Sequence, residues 1–421
     1  MCGRGAMPPK FHGPGLCEQD LCYPHYVACY FSRTIIVSNE TPQQPEKLAR
    51  AHTPAQDGLE LINTERRDAI WDDHIRLRQV LFQEHPLDYL FLEVTRACNL
   101  SCVYCGSTCG LKAQRVELSV DEFIDALQPI AADFNPADIM VAVTGGEPLT
   151  KPGILDLFRA LQRLGFPYGM VSNGWLLTSE IARELVDAGM VSITLSMDAP
   201  PPLNDELRGK GTSMAVWKAV EALHAAGFQG KLEIFTTVTK PAIPLLEQTR
   251  AIVSAMRVPF WRVSPVMPLG RAARRPDLVP GPVEIRQILE FVLAARADDY
   301  TPAPESCEEG YLGNRFEGNV RPYLCQCRAG VSIAGILCDG RIGACPELGD
   351  PFVQGHIHKD RFSDVWRDRY QVFRDRSWMR KGQCAACEHF RRCEGGSIHL
   401  YENTESEPHR CLYLLAREGG G

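Results

Sequence analysis

The strongest constraint in this chain is an alternation: from Leu87 to Asp298, short apolar runs are separated by amphipathic ones, six times over. LDYLFLEV, DIMVAVTG, YGMVSN, VSITLSMD, LEIFTTVT and FWRVSPV have the length and composition of strands. Between them VDEFIDALQPIAADF, GILDLFRALQRLG, ELVDAGM, MAVWKAVEALHAAG and PLLEQTRAIVSAM repeat apolar residues at helical spacing. A strand that returns through a helix lies parallel to its predecessor, so the pattern predicts an α/β fold built on a parallel sheet.

The polar residues of interest fall where these runs end. Cys98, Cys102 and Cys105 follow the first run as CxxxCxxC within EVTRACNLSCVYCGSTCG. Three thiolates on one loop can hold three irons of a four-iron cube and leave the fourth iron open to a ligand. With Cys109 the stretch also reads CxxxCxxCxxxC, and four thiolates are the closed ligand set of structural zinc; the spacing alone admits both. Gly145, Gly146 and Glu147 end the second run, Ser172, Asn173 and Gly174 the third, Ser196 and Asp198 the fourth. Glycines let a ligand approach the backbone, Glu147 adds a carboxylate, and Tyr104 offers an aromatic face. Arg208, in NDELRGKG, has the planar fork that matches a carboxylate.

A CxxxCxxC loop followed by VAVTGGEPLT resembles, in that order, the radical S-adenosylmethionine (radical SAM) superfamily, and the resemblance runs from about Leu87 to Cys411. It implies a partial (β/α)6 TIM-like barrel with VEIRQILEFVLAARAD as the closing helix and the chemistry at the C-terminal ends of the strands. In that family the open iron of a 4Fe-4S cluster chelates S-adenosyl-L-methionine (SAM), and an electron from a flavodoxin- or ferredoxin-type donor cleaves it to a 5′-deoxyadenosyl radical. The resemblance puts Gly145, Gly146 and Glu147 at the methionine amino group, Ser196 and Arg208 at its carboxylate, and Tyr104 near the adenine. Here Asp198 is followed by Ala199 and three prolines where the family more often has glycine, and Ser172 replaces a threonine. MPLGRAARR is similar to the family's PxGR segment, where a basic residue meets substrate or cofactor, although a solvated turn suits it equally.

From Cys325 the texture changes. CQCRAGVSIAGILCDGRIGACPELG and CAACEHFRRCEGGS resemble the SPASM extension, which carries auxiliary 4Fe-4S clusters, with Gly340 five before Cys345 as in its GxxxxC element and Gly355, Ile357, Trp366 and Phe373 at its linker positions. The resemblance implies one cluster on Cys384, Cys387, Cys393 and Cys411. A second would use Cys327 and Cys345 with Cys325 or Cys338, but Ser397 stands where the family has a further cysteine, so the expectation is one or two auxiliary clusters, the second being built differently, held open for substrate or absent. Zinc on the first four remains the structural alternative. The residue after Cys345 is Pro346, not the aspartate of sulfatase-maturing members, which disfavours formylglycine formation. His356, His389 and His399 are local acid or base candidates.

The remaining composition narrows partners and compartment. A net charge of −7 argues against a nucleic-acid surface and gives no attraction to anionic membranes. Seventeen clustered cysteines without a signal peptide favour metal ligation in a reducing compartment, here the cytoplasm. Cys2, Cys17, Cys22 and Cys29 match no ligand spacing and read as free thiols in an N-terminal arm. Residues 1–85 thus form an extension of unknown role, 86–295 the barrel, and 296–421 the auxiliary-cluster domain. The expected activity is peptide maturation, by thioether or carbon–carbon crosslinking or epimerisation. The alternatives are remodelling of a tetrapyrrole- or quinone-type small molecule, or a non-catalytic metal-stabilised interaction protein.

Overall fold

The computed structural model describes residues 64–107, 109–111, 116–298, 301–306 and 310–418. The four N-terminal cysteines and Cys307 lie outside the described residues. The expected strands are all present: β1 Tyr89–Thr95, β2 Met140–Gly145, β3 Tyr168–Ser172, β4 Ser192–Ser196, β5 Lys231–Val238 and β6 Phe260–Pro265. They stand side by side in chain order, each parallel to the next.

Four further short strands extend this sheet to ten. β7 (Pro304–Ser306) pairs with β6, and β8 (Ile333–Ile336) pairs in parallel with β1. β9 (Arg341–Gly343) and β10 (Gly355–His356) then continue antiparallel. The cysteine-rich C-terminal segment therefore shares a sheet with the barrel strands, and Tyr89 to Leu92 register against Ile333 to Ile336.

The two faces of β1 show why the apolar runs work. Leu90, Leu92 and Val94 are fully buried in the core cluster, while Glu93 and Thr95 point the other way and are also buried. At the C-terminal end of the strand this second face is therefore polar yet closed to water. The helices follow the strands: α1 (Thr64–Glu84) precedes β1, then come α2 (Val120–Asp133), α3 (Ile154–Leu164), α4 (Ser179–Asp187), α5 (Leu203–Arg208), α6 (Thr212–Ala225), α7 (Leu246–Ala255) and α8 (Pro282–Ala297).

Two helices differ from the sequence expectation. Of ELVDAGM only Glu184–Asp187 is helical, as the end of α4, which starts at Ser179 because the Thr178 hydroxyl accepts from the Ile181 N–H at 3.3 Å. α5 is too short and polar to show a period, and it follows the run of prolines. α1 docks on the C-terminal segment: the Arg78 guanidinium donates to the carbonyls of Arg391 (2.6 Å) and Arg392 (2.9 Å) and pairs with Glu394 at 3.1 Å. Among the described residues no helix is long and apolar enough to cross a membrane.

Candidate functional site

The cysteine loop leaves β1 and is fastened at both ends. The Cys98 N–H donates to the Gly110 carbonyl at 2.7 Å, closing the loop on itself, and the Val103 N–H donates to Leu207 of α5 at 2.9 Å. Arg271, from the segment after β6, holds the middle. Its Nε donates to the Cys102 carbonyl and a terminal nitrogen to the Cys109 carbonyl, both at 2.7 Å, and its backbone N–H reaches the Cys105 carbonyl at 3.0 Å. Gly270 beside it has φ +53°, and a Cβ there would stand 2.1 Å from the Gly106 carbonyl oxygen. PxGR is thus a clasp on the loop that carries the thiols, a role its sequence left open.

Gly145 and Gly146 admit the protein's own backbone. A Cβ on Gly145 would lie 2.2 Å from the Thr95 carbonyl oxygen, and one on Gly146 would lie 2.2 Å from that of Ala97. The glycine pair lets the start of the cysteine loop cross the end of β2, which places Glu147 under the thiols. Glu147 is fully buried and accepts from Ser172 Oγ (2.9 Å) and from the N–H groups of Asn173 (2.7 Å) and Leu149 (3.2 Å). Burial lifts its carboxyl above the ordinary carboxylate range, against the pull of these donors. Asn173 in turn donates from Nδ2 to Asn99 Oδ1 at 2.8 Å and lies 3.8 Å from the Cys98 sulfur. The turn after β3 thus touches both the carboxylate and the first thiol.

On the other side, Tyr104, Asp198 and Arg208 form one buried cluster. Arg208 donates to Tyr104 Oη at 2.9 Å and pairs with Asp198 at 2.8 Å; the Tyr104 hydroxyl also donates to Asp198. Asp198 is fastened further by the Thr237 N–H at 2.7 Å. The sequence placed Asp198 at a strand end without a role, yet an acid at the C-terminal end of a sheet strand was the available signal. Ser196 ends β4, half-buried, in register with Phe235.

The thiols lie between these two groups. Cys98 feels Glu147, and Cys102 feels Arg208 and Asp198; burial pushes both thiols up. Cys105 is instead drawn well below the ordinary thiol range, chiefly by hydrogen bonding with Cys109 and with help from Arg271. Among the described residues no three His, Cys, Asp or Glu side chains are gathered closely enough to chelate a single ion. A four-iron cube takes its thiolates at separate corners, so a loop of spaced thiols fits it. A carboxylate on one side and a guanidinium on the other complement the ammonium and carboxylate of an amino-acid ligand. An open cleft of about 490 Å³ runs beside the loop between Leu100, Leu111, Trp175 and Lys210.

Two further groups of cysteines lie in the C-terminal segment. Cys384, Cys387, Cys393 and Cys411 share one neighbourhood, with Cys393 pushed up to about 12 by burial, then by Cys411 and Cys384. Cys345 is held far above the ordinary thiol value by burial, with Glu347 and Cys327 beside it. Of the two further thiols considered for that group, Cys338 faces Glu93 and Glu117, and Cys325 lies in the field of Arg78. Ser397 is buried.

The Radical SAM superfamily matches residues 92–241, and the iron-sulfur cluster-binding domain SPASM matches residues 325–389. Mycofactocin maturase MftC of Mycolicibacterium smegmatis is 31% identical over 316 residues, 73% of this chain and 76% of its own. The AdoMet-dependent heme synthase of Methanosarcina barkeri is 26% identical over 342 residues, 76% of this chain and 95% of its own. Among solved structures, Streptococcus suis SuiB bound to precursor peptide SuiA has a TM-score of 0.62 at 16% identity, covering 91% of this chain and 85% of its own. anSMEcpe with bound AdoMet has a TM-score of 0.62 at 18% identity, covering 79% of this chain and 96% of its own. These two share the fold.

Proposed function

This chain belongs to the radical SAM superfamily and carries the SPASM extension, and from that premise we propose that it is a maturase acting on a peptide. A 4Fe-4S cluster and SAM, when bound, would supply the chemistry, reductive cleavage of SAM as a source of a hydrogen-abstracting radical. Cys98, Cys102 and Cys105 would hold that cluster. Glu147, fixed by Ser172 and Asn173, would take the ammonium of the methionine portion. Arg208, with Ser196 at the neighbouring strand end, would take its carboxylate; Asp198 keeps the guanidinium aimed before the ligand arrives. Tyr104, tied to the same pair, would face the adenine. Cys384, Cys387, Cys393 and Cys411 would hold one auxiliary cluster, and Cys327 with Cys345 a second. A flavodoxin- or ferredoxin-type protein would supply the electron.

The observation that carries the peptide reading is the 31% identity to a maturase across most of both chains. Its support on the side of shape is a fold neighbour seen with a precursor peptide bound. The heme synthase relative, covered over 95% of its own length, keeps a small-molecule substrate as the second reading. The experiment is anaerobic turnover of the reduced protein with SAM, offering short peptides encoded beside its gene and, in parallel, tetrapyrroles. Expected are 5′-deoxyadenosine formation stimulated by a peptide and a mass change in that peptide. Stimulation by a tetrapyrrole alone would transfer the assignment to the second reading.

A further inference from the structure

The second auxiliary centre lacks a ligand in sequence, because Ser397 occupies the position of the expected cysteine. The fold nevertheless brings that stretch to Cys327. The buried Arg376 guanidinium donates both to the Cys327 carbonyl and, at 3.3 Å, to the Gly396 carbonyl, tying the two segments together. Two residues past Ser397, on the same short turn (Ile398–Leu400), stands His399. Its Nδ1 lies 3.8 Å from a carboxylate oxygen of Glu347, and Glu347 is two residues from Cys345. The other ring nitrogen, Nε2, is shut off from solvent and has no hydrogen-bond partner among the described residues.

His399 thus has one ring nitrogen at ion-pair distance from a carboxylate and the other buried without a partner. A histidine that binds metal through one nitrogen generally presents the other to a carboxylate, which sets the tautomer and the ring orientation. A buried nitrogen without a partner is otherwise unfavourable in a folded core.

We propose that His399 Nε2 is a ligand of the auxiliary cluster held by Cys327 and Cys345, standing in for the cysteine replaced at Ser397, with the Glu347 carboxylate near enough to Nδ1 to favour a proton there. The inference rests on the reading that Cys327 and Cys345 bind a cluster. A neutral imidazole in place of a thiolate makes the cluster less negative and raises its reduction potential, as histidine ligation does elsewhere.

The test uses the full chain, reconstituted anaerobically with iron and sulfide in a background where Cys98, Cys102 and Cys105 are alanine, so that the first cluster is silent. Pulsed EPR of the reduced protein should show a strongly coupled nitrogen that changes on ¹⁵N-histidine labelling. In His399→Cys the nitrogen signal should vanish, the iron should stay and the potential should fall. In His399→Ala about four irons should be lost. The proposal is overturned if the nitrogen signal is absent in the parent or survives in His399→Cys, or if Ser397→Ala empties the site while His399→Ala does not. Cys345→Ala separates the two levels: unchanged iron there defeats the cluster reading itself, whereas iron lost there and kept in His399→Ala defeats the histidine alone.

Discussion

Arg271 Nε donates to the carbonyl of Cys102 at 2.7 Å, across 169 residues of chain, so the segment after the last barrel strand fixes the loop that begins after the first. The arginine holds that loop by its backbone carbonyls, while its charge also favours the Cys105 thiolate. Its guanidinium has a planar fork that lysine lacks, and it uses two of its donors on two different carbonyls.

Replacing Arg271 should therefore loosen the loop without removing a thiol. Arg271→Ala, and to a lesser degree Arg271→Lys, should weaken iron uptake at the first cluster, or 5′-deoxyadenosine formation, by roughly 10–100-fold, the usual effect of losing a group that supports metal ligands. Iron counting after reconstitution at graded iron concentrations checks it. Equal uptake by Arg271→Ala and the parent would remove the clasp from the account.

Gly146 and Gly110 make a matched pair. A Cβ at Gly146 meets the Ala97 carbonyl oxygen at 2.2 Å, whereas one at Gly110 meets nothing within 4 Å. Gly146→Ala should cost roughly 1–3 kcal/mol by overpacking and reduce iron at the first cluster. Gly110→Ala should stay within about 0.5 kcal/mol of the parent. Thermal melts and iron content on both variants decide it.

Glu147 gives the pH dependence. Its folded carboxyl is raised, so the folded state retains the proton to higher pH than the unfolded chain, and this group's contribution to stability falls as pH rises through that window. Ligand binding has the opposite slope, because only the ionised carboxylate attracts an ammonium. SAM affinity should rise with pH above the ordinary carboxylate range and level off past the raised value. In Glu147→Gln it should be at least about 10-fold weaker, for the loss of a charged hydrogen bond, and flat over the same range. Calorimetric titration of SAM into the reconstituted protein measures both.

In the C-terminal segment, Glu317 and Arg321 form a fully buried ion pair at 2.6 Å, and Glu317 also accepts from the N–H groups of Leu312 (2.9 Å) and Cys325 (3.1 Å). Glu317→Ala leaves a guanidinium buried without its counter-charge and should cost roughly 3–5 kcal/mol. Chemical denaturation of the metal-free protein is the measurement. A loss below about 1 kcal/mol would show that the pair is dispensable there.

The strands were legible because their signal is short-range: apolar runs such as LDYLFLEV separated by helical periods suffice to place all six. CxxxCxxC and GGEP were legible for the same reason, since each motif is a run of a few consecutive residues. α5 was not, because six residues after a proline run show no period. At the glycine pair the motif is local, but the close approach of the Thr95 and Ala97 carbonyls to Gly145 and Gly146 comes from the fold.

The sequence by itself determined the parallel α/β pattern, the thiol spacing and the order of the motifs, since each depends on neighbours a few residues apart. Only the tertiary structure decided that Arg271 closes on Cys102, that Asp198 joins Tyr104 and Arg208, and that Arg376 ties the Gly396 carbonyl to that of Cys327. Those contacts join residues far apart in the chain. The need to pair every buried polar group selects them, and that need arises only when packing has excluded water.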